Sequence, residues 1–172
     1  QWRDYYLAHD QTPHYQWMRT GLQILQWYRP RDRWVLKSPQ HLEQIGPLMA
    51  TFPDATIVVT HRDCGAALTG ELSWYLEYWS DRMRRLLERS VADRHLLPAD
   101  RTVDVFFDRY MDDEMGTLER IYDVAGLDLP ATARAEIEAY RAAHPRGKDG
   151  RVIYDLRADF ATTPEAVREP FG

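Results

Sequence analysis

Apolar positions along the chain recur with two different periods, and the switch between them outlines its elements. Thr56-Ile57-Val58-Val59 is an unbroken run ending in β-branched residues, which suits a short strand buried on both faces. Trp34-Val35-Leu36 is another short apolar run, ended by Lys37, and Val103 to Phe107 is a third. Elsewhere the spacing lengthens to that of a helix. Ala67, Leu68, Leu72, Tyr75, Leu76, Trp79, Met83, Leu86 and Leu87 fall on one stripe of a long amphipathic helix, with Asp63 as a candidate N-cap. Met115 to Ala125 reads as another helix, stopped at Gly126, and Thr132 to Ala143 as a further one. Residues 1 to 28 are rich in aromatics, a pattern suited to helices packed on a sheet or on a neighbour, and Arg29-Pro30-Arg31-Asp32-Arg33 ends it. Strands separated by helical stretches imply βαβ units, hence an α/β fold with a parallel sheet and helices on both faces. Three strands make a thin sheet for that architecture.

Polar residues gather where the strands end. Ser38 can cap a helix whose first position is Pro39, which places His41 about one turn beyond Lys37. His61-Arg62-Asp63 follows the Thr56 to Val59 run. Open parallel sheets bind ligands at the carboxyl ends of their strands. Cations at neighbouring strand ends, each beside a helix start, point to a phosphorylated or sulfated ligand. Arginine suits such a ligand because its planar fork gives two parallel charge-assisted hydrogen bonds, while its competing role at Arg62 is an ion pair with Asp63 or Glu71. A histidine titrating near neutrality suits proton transfer, although a first-turn histidine also serves as a backbone partner. His61 is expected to pack beside Arg62. The loop His144-Pro145-Arg146-Gly147-Lys148-Asp149-Gly150-Arg151 combines glycines, which let backbone amides approach an anion, with cations that neutralise it. By pattern alone a basic turn of this kind is common and usually just exposed. The adjacent carboxylates of Asp112-Asp113-Glu114 do not converge on one ion and read as a solvated loop and helix start; no metal is expected.

With 172 residues and 44% hydrophobic content the chain can build one core, and residues 1 to 172 are expected to form a single domain. No apolar run approaches the roughly 20 residues that cross a bilayer, and no signal peptide opens the sequence, so a soluble, cytoplasmic protein without stable membrane insertion is expected. Gln1 rather than Met stands first, as in a processed or truncated product. The single cysteine, Cys64, excludes an intrachain disulfide and fits a reducing compartment. A formal net charge of -5 argues against nucleic acid as a general partner, so any anion site must be local.

Trp34-Val35-Leu36-Lys37-Ser38-Pro39-Gln40-His41-Leu42, a short helix, Phe52-Pro53-Asp54-Ala55, a hydrophobic strand and Thr60-His61-Arg62-Asp63 together resemble the bacterial branch of the sulfotransferase family. The likeness continues through Val103-Asp104-Val105-Phe106-Phe107-Asp108, residues 116 to 123 and the 144 to 151 loop, and so covers nearly the whole chain. It implies a P-loop-NTPase-like sulfotransferase fold and transfer of a sulfuryl group from 3′-phosphoadenosine-5′-phosphosulfate (PAPS), the co-substrate, to a hydroxyl or amine, with no metal. By the same resemblance Arg62 contacts the 3′-phosphate of PAPS. The usual serine partner is replaced by Gly70, with Thr69 and Ser73 nearby as substitutes, and Cys64 stands where relatives have proline. Phe107 falls where many relatives carry a tyrosine near the adenosine, and its ring can stack on a base. Arg146, Gly147, Lys148 and Gly150 resemble the loop that closes over the 3′-phosphate. His41 is the expected base, and Lys37 the cation that binds the donor and offsets charge on the bridging oxygen.

The family's Pro-Lys-Ser-Gly-Thr-Thr type loop, which holds the 5′-phosphosulfate, has no counterpart in these residues. The fold is therefore expected to be incomplete on its N-terminal side, and the chain alone inactive. The alternative is a non-catalytic binding or interaction module derived from the family. A kinase-like transferase would need a phosphate loop and magnesium ligands, and neither is visible. The expected partner is a small-molecule, glycan or lipid alcohol. An exposed sheet edge and the aromatics of residues 1 to 28 favour self-association into a homo-oligomer.

Overall fold

The computed structural model describes residues 2–62, 73–145, 150, 157 and 162–169. Its contacts divide the chain into two compact units, residues 1–55 with 83–98 and residues 56–82 with 99–172.

In the first unit, α1 (Trp2–Ala8) and α2 (Thr12–Tyr28) meet at a corner built on buried Gln11. Its Nε2 donates to the carbonyls of Tyr6 and His9 at 2.8 and 2.9 Å, satisfying groups near the end of α1 that the helix leaves unpaired. Pro13 lies in the first turn of α2, where a missing N–H costs nothing. The helix stops at Tyr28 because Pro30 disfavours helical backbone at Arg29. Ser38 does cap the next element, its Oγ accepting from the Gln40 N–H at 3.3 Å, but that element is a single 3-10 turn over Pro39–Glu43. Gln44, at φ -130°, separates it from α3 (Ile45–Thr51). α3 packs on α2 and on the Arg94–Leu96 turn, and among the described residues Ile45, Leu48, Tyr15 and Leu86 are the buried apolar side chains of this unit. α2 leaves Trp17 and Trp27 exposed.

The expected strand at Trp34 to Leu36 is absent: residues 33–38 are irregular, and Val35 is 97% exposed. An apolar run supplies propensity only, whereas a strand is made by the ladder of a partner, and none of the described residues supplies one here.

In the second unit, β1 (Ile57–His61) and β2 (Thr102–Phe106) pair in parallel, with Ile57 beside Thr102 and His61 beside Phe106. Parallel pairing requires a long crossover, and the chain between the strands carries α4 (Ser73–Asp93). The part of the predicted stripe before Ser73, with its Asp63 cap, lies outside the described residues. Val103 and Val105 are buried on one face of the pair and Val59 on the other, as in an α/β sheet covered on both sides. Burial of β1 on both faces is not complete, since Val58 is 40% exposed. β2 ends one residue earlier than its apolar run, and Phe107 opens α5 (Phe107–Asp112).

α6 (Glu114–Val124) packs on β2 and is capped by Asp113, whose Oδ1 accepts from the Gly116 N–H at 2.9 Å. A side chain at 116 would overlap that carboxylate, which explains the glycine. Gly126 follows the helix at φ 64°, the left-handed conformation that ends helices most readily at glycine. Arg134 and Arg141 of α7 (Ala131–Ala143) pair with Glu119 and Glu114 of α6. α8 (Pro164–Arg168), capped by Thr163, buries Val167.

Candidate functional site

The first unit builds a buried polar layer around His41. The 3-10 turn after Ser38 carries His41, half-buried, with its Nδ1 hydrogen-bonded at 2.8 Å to the hydroxyl of Tyr15 on α2. The two rings are tilted by 48° with centroids 5.7 Å apart, so the contact is a hydrogen bond and not a stack. Tyr15 is only 8% exposed. Burial first, and then the nearby Tyr6 and Glu43 side chains, push its phenol up to about 12, which keeps it protonated. Burial also lowers the pKa of His41, so the imidazole is neutral at neutral pH. In the same layer the Tyr6 hydroxyl donates to Glu43 Oε1 at 3.1 Å and accepts from Gln44 Nε2 at 3.2 Å. Glu43 is 6% exposed, and a buried carboxylate needs such partners. Nε2 of His41 bonds no described residue. Lys37 is exposed in the irregular segment before the turn, and no hydrogen bond to a described residue draws it to His41.

The second unit presents an exposed layer of cations and rings at the carboxyl end of its strand pair. The parallel register sets His61 beside Phe106, and their rings stack with centroids 4.6 Å apart at 14°. His61 Nε2 lies 2.7 Å from Asp104 Oδ1, one pleat back on the same face of β2. Arg62, the next residue, holds its guanidinium 4.8 Å from the centroid of the Phe107 ring. Arg109 lies 5.0 Å from the Phe106 ring in the same way. A guanidinium over a ring is held electrostatically, and its five N–H donors stay in the guanidinium plane, where an anion can meet them. The arrangement is an exposed edge of cations and aromatic rings, with the Asp104 carboxylate beside His61.

Sequence comparison matches residues 4–131 to the model of the sulfotransferase family. The chain belongs to the sulfotransferase family. The sulfotransferase STF1 of Mycobacterium tuberculosis H37Rv superposes with a TM-score of 0.76 and 29% identity, covering 98% of this chain and 47% of that one. STF9 of Mycobacterium avium gives a TM-score of 0.76 and 26% identity over 95% of this chain and 46% of that one. The chain therefore spans about half the length of these solved sulfotransferases. No curated protein sequence matches it.

Within this sulfotransferase fold, two of the residues singled out by sequence, Arg62 and Phe107, are brought into direct contact. Ser73 is the first residue described in α4. Thr69, Gly70, Arg146, Gly147 and Lys148 lie outside the described residues, as do Asp63 and Glu71, the carboxylates weighed as ion-pair partners of Arg62. Gly150 takes φ 91°, a conformation open to glycine without strain. Among the described residues no helix is long and apolar enough to cross a membrane, and no group of three or more His, Cys, Asp or Glu side chains is placed to hold a metal ion. Sequence reading missed Tyr15 as a partner of His41 and Asp104 as a partner of His61. Asp104 left a signal, a carboxylate alternating with Val103 and Val105 inside a strand. Tyr15 left none beyond being one aromatic among many, because its partner is 26 positions away.

Proposed function

We propose that the protein serves sulfuryl transfer from PAPS to a hydroxyl or amine acceptor. The observation that carries this reading is the Arg62 guanidinium seated over Phe107 at the carboxyl end of the parallel pair. A fixed, planar, permanently charged donor suits a phosphate, and an adjacent ring suits an adenine, which are the two recognition elements of a 3′-phosphoadenosine nucleotide. Family membership, through residues 4–131, supports the choice of donor.

In the transfer, the acceptor oxygen or nitrogen forms a bond to sulfur. The sulfur–oxygen bond to the 5′-phosphate breaks, and the nucleotide leaves with the electron pair. The acceptor's proton passes to His41 Nε2, the ring nitrogen that no described residue occupies. A neutral imidazole, which burial favours here, is the form able to take it. Lys37 supplies positive charge to the donor, and the acceptor is a small-molecule, glycan or lipid alcohol or an amine.

Calorimetry with 3′-phosphoadenosine-5′-phosphate and adenosine-5′-phosphate tests the nucleotide assignment. The first should bind more tightly, and Arg62→Ala should erase the difference. Equal affinities in the unmodified protein would leave the chain with the family's fold but without its donor, the outcome expected of a non-catalytic module.

A further inference from the structure

We propose that Tyr15 is the positioning residue of His41: it occupies Nδ1, fixes the plane of the imidazole and leaves Nε2 as the nitrogen that meets the acceptor. The inference deepens the sulfuryl-transfer reading and rests on it for the role of His41. It is carried by geometry. Tyr15 belongs to α2, His41 to the 3-10 turn, and a 2.8 Å hydrogen bond joins them inside one compact unit. The phenol is itself held, since Tyr15 is buried and α2 packs on α3, the helix that follows the His41 turn. The ring of His41 is thereby fixed through an element remote in sequence as well as by its own turn.

The partnership matters most when the imidazole is charged. A neutral imidazole offers Nδ1 as donor or acceptor, and a tyrosine hydroxyl answers either. An imidazolium carries N–H on both nitrogens, so Nδ1 must then donate and the Tyr15 oxygen must accept. Hydrogen bonds made by a charged group are roughly twice as strong as neutral ones, so Tyr15 favours the protonated form. It therefore offsets part of the penalty that burial places on that form. Among the described residues, the titratable groups Tyr6 and Glu43 of this layer bond each other, and the hydrogen bond at His41 Nδ1 is the one with Tyr15. For Nε2 to take a proton the neutral imidazole must carry its own on Nδ1 and donate it to the Tyr15 oxygen, and the phenol, being neutral, adds no charge that would raise the imidazole far above neutrality.

The test is a titration of His41 followed by two-dimensional NMR of its ring nitrogens and protons in the 172-residue chain. Tyr15→Phe keeps the ring and removes the hydroxyl. It should lower the proton affinity of His41 by about five- to tenfold, the difference between a charged and a neutral hydrogen bond. Tyr6→Phe, which alters the same layer without touching Nδ1, should leave the titration much closer to that of the unmodified protein. The unmodified protein gives a second readout: below the midpoint the Nδ1 proton should exchange with water more slowly than the Nε2 proton. An unchanged titration in Tyr15→Phe, or a slowly exchanging Nε2 proton, would overturn the proposal. Nucleotide calorimetry decides the sulfuryl-transfer reading separately, so absent donor binding with a positive NMR result would refute the function and leave the Tyr15–His41 partnership standing.

Discussion

His41 and Arg62 are held in opposite ways. His41 lies against a phenol that is almost wholly buried and shares its turn with a buried carboxylate. Arg62 lies on a ring that is itself 40% exposed, beside a strand end where His61 and Asp104 also reach solvent. The contrast follows from what each group is suited to do. Desolvation keeps an imidazole neutral and packing fixes its geometry, and half-buried His41 has both. An arginine in the same surroundings would pay heavily for lost hydration unless paired, and pairing would consume the donors that an anion needs. Stacking on an exposed ring orients the guanidinium without consuming its N–H groups. A buried polar layer and an exposed cation–aromatic edge are thus two answers to one question, how to fix a polar side chain without spoiling its chemistry.

This contrast breaks first on stability. Tyr15→Ala removes a buried aromatic and should cost about 3 to 5 kcal/mol by denaturant unfolding, whereas Arg62→Ala should change stability by no more than about 0.5 kcal/mol. Comparable losses in the two variants would mean that the strand end is also a structural centre. Ligand affinity should reverse the order. Arg62→Ala should weaken 3′-phosphoadenosine-5′-phosphate by roughly tenfold to a hundredfold, the value of a charge-assisted hydrogen bond at about 1.5 to 3 kcal/mol, and Arg62→Lys should restore only part of it because the fork is lost. Phe107→Ala should have a smaller effect, about 0.5 to 1 kcal/mol or a few-fold in the same calorimetric titration, as expected for a cation–π contact at a partly exposed site.

The pH dependence of stability sharpens the comparison by the smallest amount. The folded pKa of His41 lies below its ordinary value of 6.5, so between the two the unfolded chain binds more protons than the folded one. Stability attributable to His41 is therefore complete above about 6.5 and falls as pH drops through that window, levelling below the folded value. Urea melts from pH 5 to 8 should show this rise with pH, and His41→Gln should flatten it. A slope unchanged by the substitution would assign the dependence to other groups.

Much of this protein is legible in order along the chain. The helices from Glu114 and Ala131, the Asp113 and Ser38 caps, the left-handed Gly126 and the strand before Arg62 follow from local rules, because propensity, capping and backbone sterics act between residues close in sequence. Residues 34–42, 52–63, 103–108, 116–123 and 144–151 carried the likeness to the sulfotransferase family, and two residues it singled out, Arg62 and Phe107, lie in contact. Three things were decided only in three dimensions. Trp34 to Leu36 is as apolar as a strand yet forms none, since a ladder needs a partner that no local rule provides. The element carrying His41 is a single 3-10 turn separated from α3 by Gln44 at φ -130°, where Ser38 and Pro39 signal only a helix start. Above all, His41 is half-buried and joined to Tyr15, a residue from another helix whose burial and hydrogen bond exist only once α2 and α3 have packed. Desolvation and side-chain pairing are properties of the packed interior, and sequence order does not encode which groups will share it.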